Sequence, residues 1–223
     1  MGPPFAAVIF DLDGVLADSE PVWWNEIDAT LLAEHGVTYR GEYHRDVLGV
    51  SYSIAVEFYR KAFGIAAPAD EMMRRRAEIA KEFFAHRIPI FPATKPVLTE
   101  LRQLNLRLGI ATSSLSESAR PFLVRHELTA FFDAIVTGDE LERGKPHPDI
   151  YLRAAERLSV APESCLVVED ALSGIKAGKA AGMRVAAIPD TRLVDVAAYE
   201  AEADYLLGSL SEIPPLVREA AED

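Results

Sequence analysis

The sequence predicts an α/β protein: a doubly wound parallel sheet carrying a small all-helical insertion after its first strand. Three observations predict it. Short apolar runs, the first being Ala6 to Phe10, each stop at polar or acidic residues, which suits strands buried on both faces of a parallel sheet. From Thr94 onward such runs alternate with helical patterns, the mark of βαβ units. Between Ser19 and about Ile88 there is no strand pattern, and helical periodicity takes over.

Each element has its own signal. After the first strand, Ser19 with Pro21 two places on starts a helix that runs from Val22 through Ile27, Leu31 and Leu32 to Gly36. A second helix is expected from near Ser51 to Gly64, burying Ile54, Val56, Phe58 and Phe63. A third follows Pro68 and carries Met72, Met73, Ile79, Phe83 and Phe84. Pro89, Pro92 and Pro96 punctuate the return to alternation. The helix Thr94 to Leu104 leads to a strand, Leu106 to Ala111, that ends in Thr112-Ser113-Ser114. A helix from Ser116 to His126 precedes the strand Ala134 to Thr137. Pro148 to Leu158 reads as helix, Cys165 to Val168 as a strand ending in Glu169-Asp170, and Ser173 to Ala181 as helix. The strand Val185 to Ile188, a helical stretch around Val194 to Ala201, the short strand Tyr205 to Leu207 and a terminal helix complete the chain. The division expected is a core of residues 1–17 and 90–223 and a helical cap of residues 18–89.

Composition narrows the function classes. The 223 residues are 49% hydrophobic and 26% charged, with a formal net charge of −12 and no basic stripe, which argues against nucleic-acid and anionic-membrane partners. No apolar run approaches the roughly 20 residues that span a bilayer, and M-G-P-P-F lacks the features of a signal sequence. The single cysteine, Cys165, sits in an apolar run and reads as a core thiol. A cytoplasmic chain is expected; its oligomeric state is not legible, with a monomer the default.

In a parallel sheet every strand points its carboxyl end at one crevice, where ligands of open α/β sheets bind. That rule gathers Asp11 and Asp13, Thr112 to Ser114, and Glu169-Asp170, with Lys145 of G-K-P-H-P within reach. A strand followed by an acidic turn is the plain reading of Asp11-x-Asp13-Gly14 taken alone. The whole set says more. Two adjacent carboxylates repel and call for a cation between them, and oxygen-only ligation points to Mg²⁺. A lysine and hydroxyl donors can hold a phosphate, so the parts suit phosphoryl transfer to a carboxylate nucleophile.

The chain resembles the haloacid-dehalogenase superfamily of phosphotransferases, in the branch with a helical cap after the first strand. The motifs that carry this are Asp11-Leu12-Asp13-Gly14-Val15, Thr112, Lys145-Pro146 and Glu169-Asp170, in the family's order along nearly the whole chain. D-S-E-P-x-W after the first motif and K-P-H-P-D-x-Y later resemble bacterial sugar-phosphate phosphatases and β-phosphoglucomutases. The resemblance implies Asp11 as nucleophile and Asp13 as general acid and base. It implies Mg²⁺ held by the Asp11 carboxylate, the Asp13 backbone carbonyl and Asp170, with Glu169 a direct or water-bridged ligand. Lys145, the Thr112 hydroxyl and backbone donors of Leu12–Asp13 and Ser113–Ser114 would hold the phosphate, and the Lys145-Pro146 bond would be cis. From the cap, Trp23, Tyr52 and Arg74 are the candidate substrate contacts, although an arginine run such as Arg74-Arg75-Arg76 is ordinarily a solvated face. Gly174, Gly178 and Gly182 fit close helix–sheet packing better than phosphate binding.

The function expected is Mg²⁺-dependent hydrolysis of a small phosphorylated metabolite, a sugar phosphate, through an aspartyl-phosphate. A β-phosphoglucomutase-type mutase is the alternative. Against it, Trp23 stands where those enzymes carry a histidine, and Tyr52 where an arginine follows G-V-S. A phospho-ligand binding protein without catalysis is a third reading, disfavoured because every group needed for turnover is retained.

Overall fold

A computed structural model describes residues 5–40, 43–47, 50–191 and 194–222. Strands β1 (Ala7–Phe10), β2 (Arg107–Thr112), β3 (Ala134–Thr137), β4 (Cys165–Glu169), β5 (Arg184–Ala187) and β6 (Tyr205–Leu206) form one sheet in the order β3-β2-β1-β4-β5-β6. All pairs are parallel. The strands alternate with helices α6 (Thr94–Gln103), α7 (Ser116–Arg125), α8 (Asp149–Leu158), α9 (Leu172–Ala180) and α10 (Ala197–Glu202), and the last helix, α11 (Ile213–Glu222), closes the chain.

The central strand explains why the sheet is doubly covered. All of β1 is buried. Val8 and Phe10 point into one apolar cluster and Ala7 and Ile9 into another, as the period of two requires. β4 divides likewise, with Leu166 and Val168 on one face and Cys165 and Val167 on the other. Full burial of each large apolar side chain contributes about 1.5–3 kcal/mol, so a strand without a polar face is stable only inside two layers of helix. Chain order reverses at β1, which lies between β2 and β4. This topological switch opens the crevice where ligands bind.

Between β1 and α6 the described residues form no strand, only helices: α1 (Glu20–Val22), a π-helical stretch Trp23–Asp28, α2 (Ala29–Ala33), α3 (His44–Val47), α4 (Tyr52–Phe63) and α5 (Ala69–His86). The expected first helix thus contains a wide turn, which puts Trp23, Ile27 and Asp28 all on the buried side; π segments of this kind recur at functional sites. α4 runs between the expected limits, from Ser51 in extended conformation to Gly64 at φ 64. Its buried face differs from the expected one. Tyr52, Ala55, Val56 and Tyr59 form the i, i+3, i+4, i+7 stripe, and Ile54, two positions out of phase, is 45% exposed. Gly49 of the G-V-S stretch lies outside the described residues. The chain's entry to and exit from the helical insert are hydrogen-bonded together: Asp18 N–H donates to the Pro89 carbonyl at 3.0 Å and Phe91 N–H to the Leu16 carbonyl at 3.1 Å. No helix among the described residues is long and apolar enough to cross a membrane.

Candidate active site

Asp11 follows β1 directly and is pinned there by its N–H, which donates to the Val168 carbonyl of β4 at 3.0 Å. Glu169 ends β4 and Asp170 follows it. Ser113 and Ser114 follow β2 on the other side. Strand register alone therefore brings together residues about 100 and 160 positions apart in sequence. Lys145, whose bond to Pro146 is cis, reaches in from the loop before α8. Its Nζ donates to Asp11 Oδ1 and to Glu169 Oε1, each at 2.6 Å, and it is 2% exposed.

Glu169 is saturated. Oε1 also accepts from the Tyr151 hydroxyl at 2.6 Å, and Oε2 accepts from the N–H groups of Asp170 at 3.1 Å and Ala171 at 3.2 Å. Its geometry is that of a residue that orients Lys145. The hydroxyl of Tyr151, in K-P-H-P-D-x-Y, was not among the expected site residues, although its place on the buried face of α8 with Ile150 and Ala154 marks a polar atom that needs a partner.

Asp13 is held by four side-chain donors. Oδ1 accepts from Ser19 Oγ and from the Trp23 indole N–H, both at 2.7 Å. Oδ2 accepts from Ser114 Oγ at 2.8 Å and, more weakly, from Thr112 Oγ1 at 3.3 Å. Thr112 Oγ1 in turn accepts from the Ser114 N–H at 3.0 Å, so this hydroxyl faces Asp13 and the backbone. Leu12 is buried in the apolar cluster, which leaves only its backbone to face a ligand. Ser113 Oγ is buried without a partner among the described residues and lines the crevice, as a donor meant for a bound anion would.

The crevice runs between the strand ends and the helical insert. Its floor is Asp11, Asp13, Ser113, Lys145 and Asp170; Glu20, Trp23, Asp28, Tyr52 and Arg76 face it from the insert. Of the three cap contacts expected, Trp23 and Tyr52 are there and Arg74 is not. Arg74 is exposed and pairs with Glu78 at 2.9 Å. Helical phase is the reason: the buried positions of α5 are Met72, Arg76, Ala77, Ile79, Ala80 and Phe84, so the arginine two places on is the one turned inward. Arg76 Nε and Nη2 donate to Asp28 Oδ1 and Oδ2 at 2.7 and 3.2 Å. Its guanidinium lies over Trp23 at 4.5 Å and over Tyr52 at 4.7 Å. Gly174 and Gly178 do pack closely, whereas Gly182 turns the chain after α9 at φ +77.

Two glycines, Gly14 and Gly174, lie hard against acids of the site. A Cβ on Gly14, already at φ +72, would meet Asp170 Oδ2 at 2.0 Å, and one on Gly174 would meet Glu169 Oε1 at 1.7 Å. Gly174→Ala, which keeps a helical φ, is expected to displace Glu169 and with it Lys145, lowering turnover by about 10²-fold, the scale on which small misplacements act. Gly178→Ala meets only Val185 and Val167 side chains at 2.8 Å and beyond. It should cost stability and spare kcat. Equal kcat for the two variants would show that Glu169 has no positioning part.

The electrostatics ask for a cation. Asp11, Glu169 and Asp170 are all buried, each with a carboxylate oxygen within 4.8 Å of the others. Burial pushes the Asp11 carboxyl up to about 8, with Lys145 opposing and Glu169 and Asp13 adding to the rise. Burial and the neighbouring Glu20, Glu169 and Asp11 charges also drive Asp170 well above the carboxylate range. The Lys145 ammonium, which burial disfavours, is held above its ordinary range by Asp11 and Glu169. One ammonium does not neutralise this cluster; an oxygen-ligated divalent cation such as Mg²⁺ fits it. The sign of the pH dependence follows. A carboxyl raised from 3.8 to about 8 makes the folded state bind more protons than the unfolded one, so metal-free stability falls as pH rises across that window. In EDTA, Tm is expected to drop between about pH 5 and pH 8, and Mg²⁺ should raise Tm more at pH 8 than at pH 5. An Mg²⁺ effect equal at both pH values would contradict a site built from these acids.

Known proteins resemble this chain along most of its length. The family model described as haloacid dehalogenase-like hydrolase matches residues 8–188. The chain is 35% identical over 177 residues to a phosphorylated carbohydrates phosphatase of Thermotoga maritima, covering 79% of this chain and 82% of that protein. It is 31% identical over 221 residues to hexitol phosphatase B of Escherichia coli K12, covering 93% of each. Among solved structures, a putative β-phosphoglucomutase of Thermotoga maritima superposes with a TM-score of 0.73 at 32% identity, over 96% of this chain and 99% of that one.

Proposed function

The chain belongs to the haloacid dehalogenase-like hydrolase family, as a phosphatase, and from that premise we propose that it hydrolyses a small phosphorylated carbohydrate through an aspartyl-phosphate on Asp11. The observation that carries the proposal is the Asp11 carboxylate at the end of β1, bonded at 2.6 Å to Lys145 inside a buried acid cluster and two residues before the four-donor Asp13. Two named carbohydrate and hexitol phosphatases among the relatives support the substrate class.

In this reading an Asp11 oxygen attacks phosphorus, the bond from phosphorus to the ester oxygen breaks, and protonated Asp13 gives its proton to the leaving alkoxide. Water then loses a proton to the Asp13 carboxylate and attacks phosphorus; the Asp11–phosphorus bond breaks and inorganic phosphate leaves. To act on a leaving group, Asp13 has to exchange one of its donors, Ser19, Trp23, Ser114 or Thr112. Lys145 and Ser113 face the phosphoryl oxygens. Mg²⁺ would be held by Asp11, Asp170 and the Asp13 carbonyl, with Glu169 beside them, and would supply positive charge for the phosphoryl oxygens.

The helical insert, residues 18–89, is in this reading a cap on the core of residues 1–17 and 90–223, with the hydrogen-bonded neck at Asp18–Pro89 as its hinge. Cap substitutions should then re-rank substrates while core substitutions abolish turnover for all of them. Trp23→Phe and Tyr52→Ala are expected to change the ranking of esters in kcat/KM. Arg74→Ala is expected to leave it unchanged, since the side chain is 68% exposed. Unchanged ranking in all three variants would remove the cap from substrate choice. The experiment for the function itself is phosphate release from a panel of phosphomonoesters with and without Mg²⁺, including β-glucose 1-phosphate with a bisphosphate activator. Metal-dependent phosphate release is expected; isomerised sugar phosphate with no phosphate release would make the chain a mutase.

A further inference from the structure

The cap side of the crevice has a charge arrangement that the reaction chemistry does not use. In an in-line displacement the leaving group lies opposite the attacking Asp11, and so faces the insert. Lys145 belongs to the floor; from the insert, Arg76 is the cation that faces the crevice among the described residues, and its charge is committed. It forms a bidentate pair with Asp28, the two side chains 7% and 2% exposed. Tyr59 donates to Asp28 Oδ2 at 2.7 Å, and the guanidinium lies against both Trp23 and Tyr52, whose rings meet edge to face. Swinging Arg76 toward a ligand's second anionic group would leave Asp28 buried and unpaired, which is strongly unfavourable. A second anion would also meet the Asp28 carboxylate that lines the same wall. A neutral polyol meets a better match. The pair uses Nε and Nη2, so the Nη1 donors and the remaining Asp28 lone pairs suit hydroxyl groups, and the rings of Trp23 and Tyr52 suit carbon-bound hydrogens.

We propose that the Asp28–Arg76 pair is the specificity element of this crevice, accepting neutral, hydroxylated leaving groups and rejecting those with a second phosphate or a carboxylate. The inference rests on the phosphomonoester hydrolase reading above and names what that hydrolase selects.

Matched substrates test it. Glycerol 3-phosphate and 3-phosphoglycerate differ by a hydroxymethyl against a carboxylate, and fructose 6-phosphate and fructose 1,6-bisphosphate by one phosphate. In the Mg²⁺-loaded wild-type protein the neutral member of each pair should have the higher kcat/KM by about 10- to 100-fold, the worth of one charge-assisted hydrogen bond. Asp28→Asn leaves Arg76 with an uncommitted charge and should shrink that preference by about tenfold or more. Wild-type protein without preference overturns the proposal whether or not the variant folds. A folded Asp28→Asn variant that slows both members of each pair equally overturns it too, by making the pair merely structural. p-Nitrophenyl phosphate separates the two levels: no release from it or from any ester defeats the hydrolase reading, whereas release without charge discrimination defeats the specificity element alone.

Discussion

Asp11→Asn is expected to reduce phosphate release to background, a loss of about 10⁵–10⁶-fold on the scale of removed covalent nucleophiles. The substitution keeps size and removes charge. It should not unfold the protein, because Lys145 retains its 2.6 Å bond to Glu169. Burial and neighbouring acids have already pushed the Asp11 carboxyl up to about 8, so at pH 8 and above a permanently neutral amide avoids the cost of a buried charge in the metal-free protein. Tm in EDTA at pH 8 is therefore expected to equal or exceed that of the wild type, while activity is lost. An inactive variant that is also markedly destabilised would mean that Asp11 serves the fold. A variant with ordinary activity would remove it as nucleophile.

The second large effect concerns Asp13. Proton transfer by a positioned side chain contributes about 10²–10⁴-fold, and Asp13→Asn should lose about that much on sugar phosphates, whose alkoxides are poor leaving groups. The loss should be smaller for p-nitrophenyl phosphate, whose leaving group needs no proton. Asn offers Oδ1 to Ser19 and Trp23 but puts an NH₂ donor where Oδ2 accepted from Ser114 and Thr112, so some loss from misorientation is expected with both substrates. Equal loss on both would leave misorientation as the whole effect and count against an acid role. Ser114→Ala serves as a control: it removes one donor to Asp13 and should cost less than Asp13→Asn.

The floor of the site was legible because it depends on topology. Once the strands were read as parallel, their carboxyl ends had to converge, and Asp11, Ser113, Glu169 and Asp170 sit within two residues of a strand end. Lys145 needed the motif as well, since nothing in strand periodicity brings a loop lysine to β1. The cap wall depends instead on helical phase. Arg74 was the candidate contact in a run that is ordinarily a solvated face, and a solvated face is where it lies; Met72, Arg76, Ala80 and Phe84 share one stripe of α5, which marks Arg76 as the inward arginine. Asp28 carried a similar signal, lying beside Ile27 and one turn before Leu31 and Leu32 on an apolar face. A buried acid and a buried arginine on facing helices imply each other, because neither is stable alone. Ile54 failed for the same reason in reverse: an apolar residue two positions off the stripe has no face to bury. The π-helical turn at Trp23–Asp28 had no sequence cue, and it places Asp28 on the buried side with Trp23 and Ile27.

The account stands most directly on a phosphorylated Asp11. Wild-type protein with Mg²⁺ and a hydrolysed sugar phosphate is quenched in mid-turnover and reduced with borohydride, which converts an acyl-phosphorylated aspartate to homoserine, and the modified residue is located by peptide mass spectrometry. Homoserine at position 11, absent without substrate and absent in Asp11→Asn, is the result predicted. Reduction at another carboxylate, or none during rapid turnover, would contradict the mechanism.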